Sequence, residues 1–438
     1  MRDHSGREAP VLRRQVLIVA AALLLVPAFW FFTDTRLVGI AAGLDRDGTG
    51  ALERDEVGPV ARRDFAAIDG DGSGGIDGAE FRRWVLGRWL SGATAPLAVP
   101  DLPKRPDARA LRAWLRAPVE AGELEGVGLV VLVDGEVVFR HVEGALAADQ
   151  PVPLDAASAW PAAAVFGCLQ ERGEVDLEAP VGAFAPGVPP AWAGQAPTRL
   201  LSHTAGAPAR RLLTFDADTS LATAARDLVL TSQPTEPGTA FRYGAVSPQV
   251  AGWWAETVTR RSWRRLFVEC LAWPLSLESA AWGHAVAGPS SDGFVDVAAG
   301  LSMSLDDYGA FLSMLQQDGS YGGVRNLSAA TLRLLETDRV GMLPREELPP
   351  VADPQWGHAL GAWCERRRED GRCVSLSSPG GLGAWPWLDR ERDVAGIVLT
   401  VDSMPRVMAW SRATRRLAER VYGRAILTSD ARGPTPGG

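Results

Sequence analysis

Lysine and asparagine are almost absent from this chain of 438 residues. Lys104 is the only lysine and Asn326 is the only asparagine, so arginine supplies nearly all of the positive charge. A GC-rich genome accounts for the bias, because its codons favour alanine, glycine, arginine and proline. Such a bias replaces surface lysines by arginines, but it does not remove a lysine on which catalysis depends. Lys104 is therefore the only residue that could act in a reaction that needs a lysine.

The charge balance and the small number of histidines argue against nucleic-acid-binding proteins and histidine-ligated zinc proteins. The formal net charge is −8 and no basic stripe with interleaved aromatics is present, so nucleic-acid binding is not predicted. The chain has only five histidines, and His284 and His358 lack the spacing of zinc ligands. What it does have is 46% hydrophobic residues and 16 tryptophans. That is enough for one large core and a small additional module.

Two acidic loops near the N-terminus match the twelve-residue EF-hand pattern of calcium-binding proteins. Each loop has oxygen-bearing side chains at positions 1, 3 and 5, glycine at position 6 and glutamate at position 12. Leu52 and Ile76, at position 8, are expected to pair as a short ribbon between the loops. The alternative is a pair of acidic turns that binds no ion. The expected ligands of two Ca²⁺ ions are Asp45, Asp47, Thr49, Ala51, Glu53 and Glu56 in the first loop and Asp69, Asp71, Ser73, Gly75, Asp77 and Glu80 in the second.

Residues 16–32 form an uncharged apolar run that follows Arg13 and Arg14. Its 17 residues are close to the minimum length of a helix that spans a bilayer. The positive flank places residues 1–15 in the cytoplasm and the remainder of the chain outside it. Because the run ends in aromatic rather than small residues, an uncleaved anchor is favoured over a cleavable signal peptide. The sequence therefore predicts a single-pass protein of a bacterial inner membrane, with its main domain in the periplasm.

The four cysteines fall into two pairs of different character. Cys364 and Cys373 flank a hairpin that turns at Asp370-Gly371, where cross-strand neighbours can form a disulfide in an oxidising compartment. Whether they are bridged or reduced is left open by the sequence. Cys168 and Cys270 lie in helical patterns and are expected to be buried thiols.

Composition divides the chain after residue 32 into four regions. The regions are a helical EF-hand pair at 37–90, an extended proline-rich linker at 91–106, one large domain at 107–425 and a disordered tail at 426–438. Patterning in the large domain predicts helices at 108–117, 156–172 and 411–422 and strands at 127–133, 136–141, 385–388 and 393–401. Strands at both ends with helices between them predict an α+β domain, in which N- and C-terminal strands share one sheet.

Six short motifs follow one another along the large domain. Residues 200–206 read Leu-Leu-Ser-His-Thr-Ala-Gly and residues 237–243 read Pro-Gly-Thr-Ala-Phe-Arg-Tyr. The other four lie at 170–181, 299–308, 323–328 and 380–389. In this order they resemble the motifs of the class C β-lactamase-like serine hydrolases, which include esterases, D-aminopeptidases and penicillin-binding relatives. The resemblance implies a β-lactamase/transpeptidase-like fold with an antiparallel sheet and a helical region.

The resemblance also implies where a catalytic serine and lysine would stand, and there the chain departs from the family. The usual interval places the Ser-x-x-Lys motif on Ala156 and Ala159. A register two residues later places it on Ser158 and Pro161. Neither register supplies the lysine that helps to take the proton of the serine. Lys104 precedes the domain, so its recruitment would need an unusual fold-back.

The other two catalytic motifs of the family are also weakened. Tyr-x-Asn becomes Tyr243-Gly244-Ala245, and the motif on the sheet edge falls on Ser378-Pro379-Gly380. Tyr243 would act as a base only if a nearby cation lowered its pKa, and in the family that cation is largely the missing lysine. We therefore expect Tyr243 to line a pocket rather than to catalyse. His203 lies in a motif that the resemblance assigns to a structural role.

Two functional hypotheses from different classes follow. In the first, the chain is a membrane-tethered, calcium-loaded pseudoenzyme whose old cleft binds a ligand, such as a peptidoglycan-derived or ester ligand, or a protein partner. In the second, it is an active serine hydrolase of the esterase, β-lactamase or peptidase type with a rearranged site, built from Ser158 and Tyr243. The missing lysine favours the first. If Ser158 points away from the cleft while Ala156 faces it, the second loses its only nucleophile.

Overall fold

The computed structural model describes most of the chain from residue 49 to residue 424. The described residues are 49–54, 56–57, 59–81, 83–84, 96–124, 126–144, 146–209, 215, 219–283, 294–400 and 402–424. They belong to two compact units, residues 1–93 and 94–438. No helix among them has both the length and the apolar character needed to cross a membrane. The predicted anchor at 16–32, the tail at 426–438, Asp45, Asp47 and His284 all lie outside the described residues.

The smaller unit contains a two-stranded ribbon and a helix. Strand β1 (Ala51–Leu52) pairs antiparallel with β2 (Ile76–Asp77), and Leu52 lies opposite Ile76. Helix α1 (Pro59–Ile68) lies between them in the chain. Leu52 and Ile76 are both buried, as an apolar residue at the centre of such a ribbon requires. The expected pairing of these two positions is therefore confirmed.

A seven-stranded antiparallel sheet forms the centre of the larger unit. Strands from both ends of the domain share this sheet, which gives the α+β architecture predicted from the sequence. The strands predicted at 127–133 and 136–141 pair as a hairpin that turns at Asp134-Gly135, where both residues have positive φ, as a two-residue hairpin loop with this twist requires. In spatial order the strands are β12 (Gly357–His358), β13 (Trp363–Arg367), β14 (Cys373–Ser377), β15 (Ala384–Asp389), β16 (Val394–Thr400), β3 (Gly126–Val133) and β4 (Glu136–Gly144).

Both faces of the central strands are buried. On one face, Leu129 and Val131 pack with helices α2 (Ala108–Glu120) and α12 (Met404–Tyr422). On the opposite face, Val130 packs with the helical region. Strand β3 consequently reads as a continuous apolar run rather than as an alternating pattern.

The helical region occupies the middle of the domain. It begins with a 3₁₀ turn (Asp155–Ser158) that leads into α3 (Ala159–Glu171), where the sequence predicted one continuous helix. The further helices are α4 (Pro190–Ala193), α5 (Pro197–Leu201), α6 (Leu221–Thr231), α7 (Val246–Thr259), α8 (Trp263–Phe267), a π-helical turn (Val268–Ala272), α9 (Trp273–Leu275), α10 (Leu305–Gln316) and α11 (Ala329–Leu335). The short strands are β5 (Val152–Pro153), β6 (Phe241–Arg242), β7 (Ala281–Trp282), β8 (Leu301–Met303), β9 (Ser320–Tyr321), β10 (Val324–Arg325) and β11 (Arg345–Glu347).

The part of the predicted linker that the structure describes lies against the large domain. Residues 96–106 form no helix or strand, as expected of an extended segment. Leu97 is nevertheless buried in the core beside α2 and α12, and its N–H donates to the carbonyl of Arg406 at 2.8 Å. This stretch belongs to the larger compact unit.

Both cysteine pairs form disulfides. The expectation that Cys168 and Cys270 are buried thiols is wrong, because the fold brings α3 beside the π-helical turn and sets their Cα atoms 5.8 Å apart. The two residues are 102 positions apart in the chain, so local pattern could not reveal the contact. Cys364 and Cys373 are bridged across the β13–β14 hairpin, with Cα atoms 5.4 Å apart.

Candidate functional site

A cleft of about 350 Å³ opens beside the end of β14, within the larger unit. Its walls come from the 3₁₀ turn, the start of α7, the loop after β14 and the start of α12. The lining is largely alanine, glycine, proline and methionine. The lining residues are Asp155, Ala156, Ala159, His203, Tyr243, Gly244, Ala245, Pro248, Ala298, Ala299, Pro349, Pro350, Val351, Pro379, Gly380, Gly381, Met404, Pro405 and Met408.

The 3₁₀ turn and the first residue of α3 carry the two alanines that stand in for the catalytic pair. Ala156 and Ala159 both line the cleft, at the places where the resemblance puts serine and lysine. The turn is packed tightly against its neighbours. A Cβ on Gly380 would lie 1.9 Å from the carbonyl oxygen of Leu154, and one on Gly361 would lie 2.1 Å from that of Ala159. Glycine at these two positions allows the turn to approach the sheet edge.

Ser158 points away from the cleft. Its side chain is fully buried, and its Oγ accepts a hydrogen bond from the N–H of Leu301 at 3.0 Å. Ser158 therefore holds the turn to β8 and does not face a substrate. The register that made Ser158 a nucleophile with Pro161 in the lysine position is wrong, because the 3₁₀ geometry directs Ala156 and Ala159 toward the cleft.

Ser378 is also directed at the backbone of the turn and does not line the cleft. It is 3% exposed, and its Oγ donates to the carbonyl oxygens of Ala156 at 3.3 Å and Gly361 at 3.1 Å. The three residues that follow, 379–381, reach the cleft in its place. Ser378 is thus beside the site, as the motif predicted, but its hydroxyl is directed at backbone.

Asp155 is a cleft residue that sequence reasoning missed. It is half-buried and adopts φ +50°, an unusual conformation for an aspartate. Its Oδ2 accepts a hydrogen bond from the N–H of Gly381 across the cleft. Burial in these apolar surroundings raises the pKa of the Asp155 carboxyl, while the hydrogen bonds from backbone N–H groups oppose that shift. The only sequence signal was its place immediately before Ala156.

A second carboxyl, Asp296, lies under the cleft wall. It is 2% exposed, and its Oδ1 accepts hydrogen bonds from the N–H groups of Ala298 at 2.9 Å and Ala299 at 3.1 Å. Both alanines line the cleft. Burial first, and then repulsion from Asp155, raise the pKa of Asp296 to about 7. The two carboxyls come from segments 141 positions apart, and no spacing rule would have joined them.

Tyr243 and His203 form the aromatic side of the cleft. Their ring centroids lie 4.5 Å apart, and Trp363 stacks on Tyr243 at 5.2 Å. Burial, together with the neighbouring His358, lowers the pKa of His203 well below its usual value, so its imidazole is neutral. His203 also accepts a long hydrogen bond at Nδ1 from the N–H of Gly244. The expectation that Tyr243 lines a pocket agrees with its place in the cleft wall, and His203, expected to be structural, packs beside it.

The only lysine of the chain is far from this cleft. The carbonyl oxygen of Lys104 accepts from Arg420, near the C-terminal end of α12. Met404, at the opposite end of the same helix, lines the cleft. Sixteen residues of α-helix span about 24 Å, because each residue rises about 1.5 Å. No fold-back brings Lys104 to the place of the missing lysine.

The described lining of the cleft carries no Ser-x-x-Lys pair. Among its described lining residues there is no serine, threonine, cysteine or lysine. Its polar side chains are those of Asp155, His203 and Tyr243. Such a cleft can enclose an apolar ligand and orient it through a few polar groups.

The second EF-hand-like loop brings carboxylates together in the smaller unit. Oxygens of Asp69, Asp71 and Glu80 all lie within 4.8 Å of one another, as a divalent cation site requires. Ser73 Oγ and the Gly75 carbonyl oxygen lie 3.0 Å apart in the same loop.

The two loops repeat one hydrogen bond at equivalent positions. The N–H at position 9 donates to the carboxylate at position 12, from Glu53 to Glu56 at 3.0 Å and from Asp77 to Glu80 at 3.1 Å. Both position-12 glutamates are buried. Asp77 Oδ1 accepts from the N–H of Glu80, so that oxygen caps the following turn.

Comparison with known structures identifies the fold. A candidate β-lactamase from Bacteroides dorei is 25% identical, with a TM-score of 0.62, over 73% of this chain and 99% of that one. A family VIII carboxylesterase is 19% identical, with a TM-score of 0.59, over 74% of this chain and all of that one. The larger unit thus has the α+β fold of β-lactamases and related esterases.

The Beta-lactamase family model matches residues 111–419, and the chain belongs to this family. An uncharacterized protein of Mycobacterium tuberculosis (strain CDC 1551 / Oshkosh) is 33% identical over 108 residues, which are 24% of this chain. A protein of the H37Rv strain of the same species matches equally. The chain spans about a quarter of the length of these curated relatives, 27% in both cases.

Proposed function

We propose that this chain is a membrane-anchored, extracytoplasmic calcium-binding protein whose β-lactamase-family domain binds a ligand without hydrolysing it. The observation that carries the proposal is the 3₁₀ turn at the cleft. Ala156 and Ala159 occupy the positions of nucleophile and lysine, while the hydroxyl of Ser158 is buried against Leu301. A hydroxyl that neither reaches the cleft nor has a base beside it cannot attack an acyl group.

The cleft itself supports ligand binding. It retains a volume of about 350 Å³ although the catalytic groups are gone. Apolar walls with a few polar groups are typical of small-molecule sites. The structural relatives include enzymes that act on esters, and we propose that a peptidoglycan-derived or ester ligand, or a segment of a protein partner, enters the same cleft.

The cysteines support a location outside the cytoplasm. All four are paired in disulfides, which persist in oxidising compartments. The apolar run at residues 16–32, with its positive N-terminal flank, supports a single-pass anchor in the inner membrane. Alkaline extraction of membranes, followed by protease treatment of intact spheroplasts, tests this topology. Release of the protein without detergent would contradict the anchor.

The donor set of the second loop fits a Ca²⁺ ion. Asp69, Asp71 and Glu80 would hold it through carboxylates, with Ser73 and the Gly75 carbonyl adding neutral oxygens. Bound calcium would neutralise three converging negative charges and thereby stiffen the segment between membrane and large domain. We propose a second ion in the first loop, whose Asp45 and Asp47 precede the described residues.

A serine-reactive fluorophosphonate tests the absence of hydrolysis directly. The full chain is treated with the reagent in calcium and in chelator, and the intact mass is measured. We expect no adduct in either condition while circular dichroism shows the protein folded. An active family member serves as the positive control.

The rearranged-hydrolase alternative predicts the opposite result. A stoichiometric adduct that disappears in a Ser158→Ala variant would show that Ser158 is an activated nucleophile. That result would overturn the proposal in favour of an esterase. An adduct that persists in Ser158→Ala would reveal a different reactive hydroxyl and would also refute a non-catalytic cleft.

A further inference from the structure

The described lining of the cleft carries one carboxyl group and no base that is charged at neutral pH. Asp155 is the acid, and the neutral imidazole of His203 adds no positive charge. The remaining walls are built mainly from small apolar residues, proline, and the side chains of Met404 and Met408. A ligand in this cleft therefore meets a single negative charge on an apolar surface.

The carboxylate of Asp155 already accepts the hydrogen bond of a backbone N–H group that faces the cleft. Its Oδ2 accepts from the Gly381 N–H, and a Cβ on Gly381 would lie only 2.5 Å from this oxygen. The positive φ of Asp155 is a backbone cost that persists only where surrounding structure enforces it, and such outliers cluster at binding sites. A carbonyl or carboxylate ligand would have to displace this carboxylate to use the Gly381 N–H, whereas a hydrogen-bond donor would not.

The negative charge near the cleft has no fixed counterion among the described residues. Neither Asp155 nor Asp296 forms an ion pair with a described arginine or lysine. The two carboxyls repel each other, and burial makes their charge costly. A cation entering the cleft would relieve both effects.

We propose that the cleft binds a ligand with an apolar body and an ammonium group, and that the ammonium group lies against the Asp155 carboxylate. This inference rests on the proposed ligand-binding function and specifies its chemical class. The apolar body fills the space beside Ala156, Ala159 and Met408, and the ammonium group donates to the carboxylate. No bond is made or broken. Acyl ligands with a free carboxylate are rejected by the same charge.

A matched ligand series tests the inference with the full chain. Phenylbutylamine, phenylbutanol and phenylbutyrate share one apolar body and differ only in a cationic, neutral or anionic end. Binding to the wild-type protein is measured by isothermal titration calorimetry at pH 8. We expect the amine to bind roughly tenfold or more tightly than the alcohol, because a hydrogen bond to a charged group exceeds a neutral one, and the carboxylate to bind least.

Two variants give the controls. Asp155→Asn removes the charge and suits the backbone, since asparagine tolerates positive φ. It should bring the amine and the alcohol to equal affinity while the alcohol still binds. Met408→Trp fills the cleft. Any binding that remains in this variant is binding elsewhere on the protein or to the detergent that keeps the full chain in solution. Near-ultraviolet circular dichroism reports whether each variant is folded.

The outcomes separate the inference from the function on which it rests. Equal binding of amine and alcohol to the wild type, or a preference that survives in Asp155→Asn, would overturn the inference and leave a neutral binding cleft. Binding of the carboxylate as tightly as the amine would overturn it even if Asp155→Asn fails to fold. If none of the three exceeds the Met408→Trp background, the proposed cleft function fails as well.

Discussion

Replacing Asp296 by asparagine should stabilise the protein, and the gain should depend on pH. Asp296 is 2% exposed, and its Oδ1 accepts from the N–H groups of Ala298 and Ala299. Asparagine has the same shape and keeps an Oδ1 acceptor for both bonds. The substitution therefore removes the buried charge with little change in the hydrogen bonds around it.

The magnitude follows from the pKa of this carboxyl. Burial raises the pKa of Asp296 from 3.8 to about 7, so the folded protein holds a proton that the unfolded chain has released. Stability from this group is fully present below pH 3.8 and is lost as the pH rises to about 7. Each pKa unit corresponds to about 1.4 kcal/mol, and the full loss is about 4 kcal/mol. Asparagine does not ionise, so the Asp296→Asn variant does not lose this stability as the pH rises.

Urea unfolding from pH 5 to pH 8.5 measures the difference. Tryptophan fluorescence reports mainly on the large domain, which contains 13 of the 16 tryptophans. The difference in the free energy of unfolding between Asp296→Asn and wild type should rise by about 1.4 kcal/mol per pH unit up to pH 7 and then level off. Asp227→Asn, at an exposed position of α6, should give no comparable trend. A gain that is equal at pH 5 and pH 8, or a variant that is less stable at pH 8, would refute the reasoning.

Three further perturbations test other parts of the structure. Replacing Cys168 and Cys270 by serine should lower the free energy of unfolding by about 5 kcal/mol, because their disulfide closes a loop of about 100 residues; an unchanged urea midpoint would contradict this. Glu80→Gln should weaken calcium binding roughly tenfold or more in a titration, whereas the exposed Glu123→Gln should not. Burial depresses the pKa of His358 to about 4, so the unfolded chain is protonated first and stability should fall as the pH drops from about 6.5 to 4. His358→Gln should flatten this part of the acid-unfolding curve, and an unaltered slope would show that another group controls it.

The sequence alone was sufficient for features that arise from local pattern. The Asp134-Gly135 hairpin needs only a two-residue turn with positive φ between apolar runs, and the structure confirms it. The pairing of Leu52 with Ile76 follows from the spacing of two loops of equal length. The ordered motifs placed the family correctly, because motif order reflects the whole fold. The membrane anchor and the calcium ions remain predictions.

Several helix boundaries moved for physical reasons. The C-terminal helix was predicted to begin at Ser411 but begins at Met404, since Pro405 fits the first turn of a helix, where its missing N–H is not needed. The helix predicted from Ala156 begins as a 3₁₀ turn, whose tighter winding sets which side chains face the cleft. That difference decides between Ala156 and Ser158, which sequence spacing had left open.

The sequence already showed that no lysine stands at the Ser-x-x-Lys position, and the structure then placed Lys104, the only lysine, at the end of α12 away from the cleft. Which residues line the cleft around Ala156 and Ala159 was determined only by the tertiary structure. Asp155 and Asp296 come together at the cleft from segments 141 positions apart in the chain. Cys168 and Cys270 form a disulfide although 102 positions separate them. Local pattern carries the periodicity of helices and strands, whereas contacts between distant segments depend on how those elements pack. The charge of the cleft is a property of that packing.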